Sequence, residues 1–190
     1  MTGYLVIFIL VMAVSLYAIL KLHQLNAGAH HILNIDNRIL DYEKKLTDSI
    51  LSQLRCERKF IITKDRALYD QFFSAKEGFH KYLAEVLLIA DTLPKKDALD
   101  KVKMYYGRYQ SLTDQEVELI RKNQPYPKKW YEREKEKAAD EILKELKNLM
   151  TYSRQDIYDR MKSLGEAGSS ARKFAITTSI WCYSTSVDSF

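Results

Sequence analysis

Four groups of side chains in this chain have types and spacings that chemistry could use. Glu77 and His80 form an E-x-x-H pair, the ligand spacing of di-iron four-helix proteins. Such centres need that pair on two helices and glutamates from two more. The sequence has one copy, so neither a metal nor another cofactor is expected. Arg38, Arg55 and Arg58 carry guanidinium forks suited to carboxylates or oxyanions and are the candidates for anion binding. Tyr105, Tyr106 and Tyr109 stand at helical spacing, where tyrosines pack their rings and keep hydroxyls for a partner. Tyr105 and Tyr109 join the arginines as candidate ligand contacts. His23, His30 and His31 titrate near neutral pH, but their spacing fits the polar side of a helix better than a ligand set.

No phosphate-cradling GxxxxGK[ST], dinucleotide GxGxxG or nucleophile GxSxG pattern occurs, so no enzyme is expected. Cys56 and Cys182 give neither a disulfide framework nor a zinc spacing. The net charge of +5 raises the question of nucleic acid. However, the basic residues alternate with acids, as in EREKEKAADE from Glu132 to Glu141. Charges three and four apart on a helix pair with one another, so this stretch reads as a solvated face and no nucleic-acid partner is expected.

The elements that must position these residues are helices. A chain of 190 residues with 6 Gly and 3 Pro has room for one core and little irregular structure. Tyr4 to Leu20 carries no charge, and at about 1.5 Å per residue it just reaches across a hydrocarbon layer of roughly 30 Å. It reads as an uncleaved transmembrane helix (residues 1–21), because no basic leader precedes it and the helical pattern runs on past Leu20.

Ile32, Ile35, Ile39, Tyr42, Leu46, Ile50 and Leu54 then mark one face of a first helix reaching about Thr63. Thr63-Lys64-Asp65 offers a break. A second stripe, Leu68, Phe72, Ala75, Phe79, Tyr82, Val86, Ile89 and Leu93, ends at Pro94. A third, Ala98, Val102, Tyr105, Tyr109, Leu112 and Leu119, carries Glu116 as its one charged seam residue and stops before Pro125. The fourth begins at Trp130, with Ile142, Leu146, Leu149, Ile157, Met161 and Leu164 inward.

Alternating steps of three and four mark helices packed in a supercoiled seam, and short turns make neighbours antiparallel. The fold class expected is therefore all-α, an antiparallel up-down-up-down four-helix bundle whose long first helix continues from the membrane span. The two outer helices outrun the inner two at the end where the span enters. Past Ala171 the chain turns apolar again over Phe174 to Tyr183, but Ser184 to Phe190 is polar. Residues 171–190 thus read as the start of a second span, with truncation the expected reason it is short.

The continuous entry YAILKLHQLN, the tip ERKFIITKDRALYDQF (Glu57 to Phe72), the long fourth helix and the segment SSARKFAI together resemble the four-helix sensor regions of bacterial sensor histidine kinases, with chemoreceptors as near relatives. The resemblance covers about residues 4 to 180. It implies an extracytoplasmic bundle (residues 22–170) on the inner membrane, a homodimer, and a small-molecule or anion ligand. In nitrate-sensing relatives an arginine on the first helix meets its dimer mate, but their helix-one motif does not occur here. No phospho-acceptor segment is present, so the chain is expected to sense and transmit without catalysing. Two other expectations stand beside it: the ligand-binding region of a methyl-accepting chemotaxis receptor, and a structural membrane-tethered bundle that binds proteins.

Overall fold

With so few glycines and prolines, the backbone can satisfy its amides locally almost everywhere, and helices form nearly end to end. The computed structural model describes the backbone of residues 2–63 and 65–187. It describes the side chains of residues 8, 9, 11–23, 26, 27, 29, 30, 32, 34–63, 65–166, 168–170, 173, 176 and 177. Tyr4, His31, Cys182 and most of the apolar stretch Phe174 to Tyr183 have side chains outside that set.

Five α-helices follow in order: α1 Thr2–His31, α2 Asn37–Thr63, α3 Arg66–Ile89, α4 Leu93–Arg121 and α5 Lys128–Val187. A π-helical turn, Ile32–Asp36, joins α1 to α2. There is no strand among the described residues. Contacts divide the chain into two compact units, Met1–Asn34 with Asp156–Phe190, and Ile35–Gln155.

In the second unit, α2, α3, α4 and the first part of α5 share one core. Ile39, Leu46, Ile50, Phe79, Val86, Leu99, Val102, Tyr109, Ile142, Leu146 and Leu149 are buried together. The order of contacts fixes the directions. Tyr42 reaches Glu85 while Cys56 reaches Gln71, so α3 runs back along α2. Asp36 meets Lys95 while Glu57 meets Tyr109, so α4 runs with α2. The result is up-down-up-down, as the short connections require.

Local chemistry sets the turns. Asp65 caps α3, its Oδ1 accepting from the Ala67 amide at 2.9 Å. Pro94 sits in the first turn of α4, where a missing amide costs nothing. Asn123 takes φ 54° and closes α4 with two backbone bonds, Asn123 N to Ile120 O and Gln124 N to Leu119 O. This is the left-handed helix end that asparagine tolerates.

Several expectations are corrected. Leu93 does not close the second stripe: α3 stops at Ile89, and Leu93 opens α4 with its side chain 83% exposed. Proline at the first turn starts a helix as readily as it ends one. Tyr106, not Tyr105, is the buried member of its pair, and Tyr105 only packs against the core edge. Met161 is exposed rather than inward.

The stretch Glu132 to Glu141 is not wholly a solvated face either, since Glu134, Lys135, Ala138 and Ala139 are buried within it. Among the described residues no helix is long and apolar enough to cross a membrane. Tyr4 to Ile7 and Leu10 of the apolar run have side chains outside the described set.

Candidate functional site

The seam that builds the core also carries charge inward. Stepping back from Ile142 by four, three and four lands on Ala138, Lys135 and Tyr131, all buried. Stepping on from Leu54 by three lands on Glu57, and from Leu112 by four on Glu116, also buried. A helix cannot turn a residue at a seam position away from its neighbours without losing the seam. Glu57 of α2, Glu116 of α4 and Lys135 of α5 therefore meet inside the bundle.

Lys135 Nζ donates to both Glu57 Oε1 and Glu116 Oε2. Tyr109 donates its hydroxyl to Glu57 Oε2 at 2.6 Å. Burial first, and then the Glu116 carboxylate, raise the Tyr126 hydroxyl above its usual range. Burial and the neighbouring Glu57 do the same to Tyr109, well beyond the ordinary phenol range. Two carboxylates face one ammonium, a layer that removes charges from water at several kcal/mol each and recovers that only through good pairing. Above the layer lies a pocket of about 180 Å³ with Leu54, Ile61 and Ile62 as aliphatic wall and Arg58 and Lys128 at its rim.

One turn deeper, Tyr106 donates to Gln53 Oε1 at 3.0 Å, and Gln53 Nε2 donates to the Ala75 carbonyl at 3.3 Å. Tyr106 stacks on Phe79 with ring centres 3.8 Å apart. Burial pushes its hydroxyl up to about 12. At the other end of the core, Lys95, fully buried at the start of α4, donates to Asp36 at 2.8 Å and to Asp91 at 2.9 Å. Asp36 and Glu57 stand roughly 30 Å apart along the helix axis at 1.5 Å per residue. The apolar core is thus bounded at both ends by a buried lysine between carboxylates.

The candidate residues read from the sequence are scattered. Arg38 lies on the surface, donating to the Tyr42 hydroxyl at 3.2 Å. Arg55 is exposed and, among the described residues, enters no ion pair. Arg58, at the pocket rim, bridges to Glu136 at 3.1 Å. Tyr105 is half-buried, and Tyr109 is fully buried against Glu57. Of the five, only Arg58 and Tyr109 approach the same cluster, each beside Glu57 or its pocket. Glu77 and His80 are exposed, and His80 pairs with Gln110 at 2.9 Å. His30 of α1 pairs with Asn34 of the π-helical turn.

The residues sequence reasoning passed over are Lys95 and Lys135. Their signal was a lysine at a seam position, three residues before Ala98 and seven before Ile142.

Comparison of the chain with protein-family models, with curated proteins and with solved structures finds no match. What the protein does must be argued from its own residues.

Proposed function

We propose that this chain is the membrane-anchored, extracytoplasmic sensing and signal-transmitting region of a two-component sensor histidine kinase. The observation that carries the reading is α1. Phe8, Ile9, Val11, Met12, Leu16, Ile19 and Leu20 are large apolar side chains exposed together along one side of a single helix, while Val14, Tyr17 and Lys21 on its other side are half-buried. An exposed apolar helix surface of this extent is suited to lipid. From there the chain passes through one π-helical turn into the bundle.

Helix lengths support the same reading. The inner helices α3 and α4 have 24 and 29 residues, whereas α1 and α2 follow one another from Thr2 to Thr63 and α5 has 60. Long outer helices are natural carriers of a small sliding or rotational shift, a known mode of two-state signalling. The layer at Glu57, Glu116 and Lys135 ties three of the four bundle helices together. A charged small molecule in the pocket above it would compete for those pairings, and so bias how α2, α4 and α5 are held.

Asn123→Cys, on the exposed turn between α4 and α5, tests the anchoring. The variant is expected to react with a membrane-impermeant maleimide in intact spheroplasts while the chain stays in the membrane after alkaline carbonate washing. Release by carbonate, or labelling only after lysis, overturns it. Thermal shifts of the full chain in detergent against organic acids, amino acids and oxyanions test the sensing. A selective rise in melting temperature is expected, and a flat panel favours a structural tether.

A further inference from the structure

The turns joining α2 to α3 and α4 to α5 lie at one end of the Ile35–Gln155 unit, since its helices alternate in direction and Ile61 and Ile62 line the same pocket as Lys128. Segments 59–66 and 118–133, which span these turns, carry eight Lys or Arg and three Asp or Glu, against 30 and 25 in the whole chain. Acids and bases are equal in number everywhere else, so the net charge of +5 is the excess of this end. Lys122 is paired with Glu118 and Arg133 with Glu134. Among the described residues, Lys59, Arg66, Arg121, Lys128 and Lys129 are exposed and enter no ion pair.

Two large apolar side chains stand out among these cations, Ile62 at 78% exposure and Trp130 at 42%. Trp130 is held in place. Its amide donates to the Pro127 carbonyl at 2.9 Å, and its ring lies edge-on to buried Tyr131 with centres 4.9 Å apart. An indole fixed in this way loses little freedom when it meets a partner.

We infer that this end docks on the surface of a lipid bilayer rich in anionic phospholipid, a contact separate from any that α1 makes. Clustered lysines and arginines are drawn to the headgroup phosphates, and an indole settles at the headgroup level, where its ring is dry and its N–H wet. The composition selects lipid over other acidic partners. Five of the eight cations are lysines, a residue depleted at protein interfaces. Single-stranded nucleic acid is held by aromatic side chains stacked one after another along a groove, whereas Trp130 is the one exposed aromatic of these segments among the described residues. The inference goes beyond the sensor reading and stands on the charge and exposure of this end alone.

Flotation and fluorescence test it on the full chain. The protein is first given neutral phosphatidylcholine nanodiscs, so that α1 has lipid available, and is then mixed with vesicles of phosphatidylcholine alone or with about one-third phosphatidylglycerol. Trp181→Phe leaves Trp130 as the sole reporter, the chain having two tryptophans. The chain is expected to float with the anionic vesicles and not with the neutral ones, with Trp130 emission shifted to the blue. Arg121→Gln combined with Lys129→Gln, both on exposed positions outside the pocket, should weaken the binding about tenfold or more, because each cation near an anionic surface contributes about fivefold. Circular dichroism of that variant should match the wild type.

No flotation with the anionic vesicles overturns the inference, as does equal flotation with both kinds or a double variant that binds like the wild type. A Trp130 shift produced as strongly by soluble polyglutamate or polyphosphate also overturns it, since the partner is then a free polyanion. Flotation follows the chain whether or not α1 has entered the discs, so this result and the Asn123→Cys labelling are read independently.

Discussion

Lys135 shows most sharply what a single residue does in this protein. Its ammonium holds two buried carboxylates, Glu57 and Glu116, which no other described cation contacts. Replacing it with methionine keeps much of the volume and leaves both acids in the core unpaired. Lys135→Met is expected to destabilise the fold by about 3–5 kcal/mol, the cost typical of breaking a buried charge pair. Urea unfolding followed by circular dichroism would measure it, and a loss below about 1 kcal/mol would mean the layer is open to water.

The tyrosines give a pH signature with a definite sign. Tyr106 is held protonated up to about 12, and Tyr109 is pushed in the same direction, while in the unfolded chain both ionise near pH 10. Above that pH the unfolded state has lost protons the folded state keeps, so stability falls as pH rises. The Tyr106 contribution is whole below pH 10 and disappears through the window from 10 to 12, at up to about 1.4 kcal/mol per pH unit, and Tyr109 adds a decline of the same sign. Tyr106→Phe should flatten that alkaline decline, as seen in urea midpoints across pH 9 to 12.

Among the elements, the turns show how local chemistry and packing divide the work. Thr63-Lys64-Asp65 marks a break by composition, and the break is where the sequence puts it because Asp65 satisfies an amide that α3 leaves open. Asp65→Ala is expected to cost about 1 kcal/mol, read as a lowered melting temperature with the helix content of the folded state unchanged. The segment around Pro94 was less legible. Proline forbids a helix interior but welcomes a first turn, and only the backbone shows that α3 had already ended at Ile89. The π-helical turn at Ile32–Asp36 was not legible at all. Asp36 is buried there beside half-buried Ile35; it stands four after Ile32 and three before Ile39, but a charged side chain gave the count no reason to choose it over Ile35.

For the molecule as a whole, a core fed by four helices predicts that truncations on different helices weigh alike. Leu99→Ala and Leu146→Ala, both fully buried, are each expected to cost about 2–5 kcal/mol. Met161→Ala, on the exposed part of α5, should change stability by less than about 0.5 kcal/mol. Chemical denaturation of the three variants would check the set, and a large loss at Met161 would restore it to the inner face.

Steps of three and four along Ile39, Tyr42, Leu46 and Ile50, and of seven along Phe72, Phe79 and Val86, determined the helices and their inward faces from sequence alone, since helical period is a local property. Which charges meet inside was decided only by the tertiary structure. Glu57 finds Tyr109 and Lys135 at separations of 52 and 78 positions, and Lys95 finds Asp36 at 59. Such partners are chosen by how far each helix slides against its neighbours, and no count along one helix contains that distance.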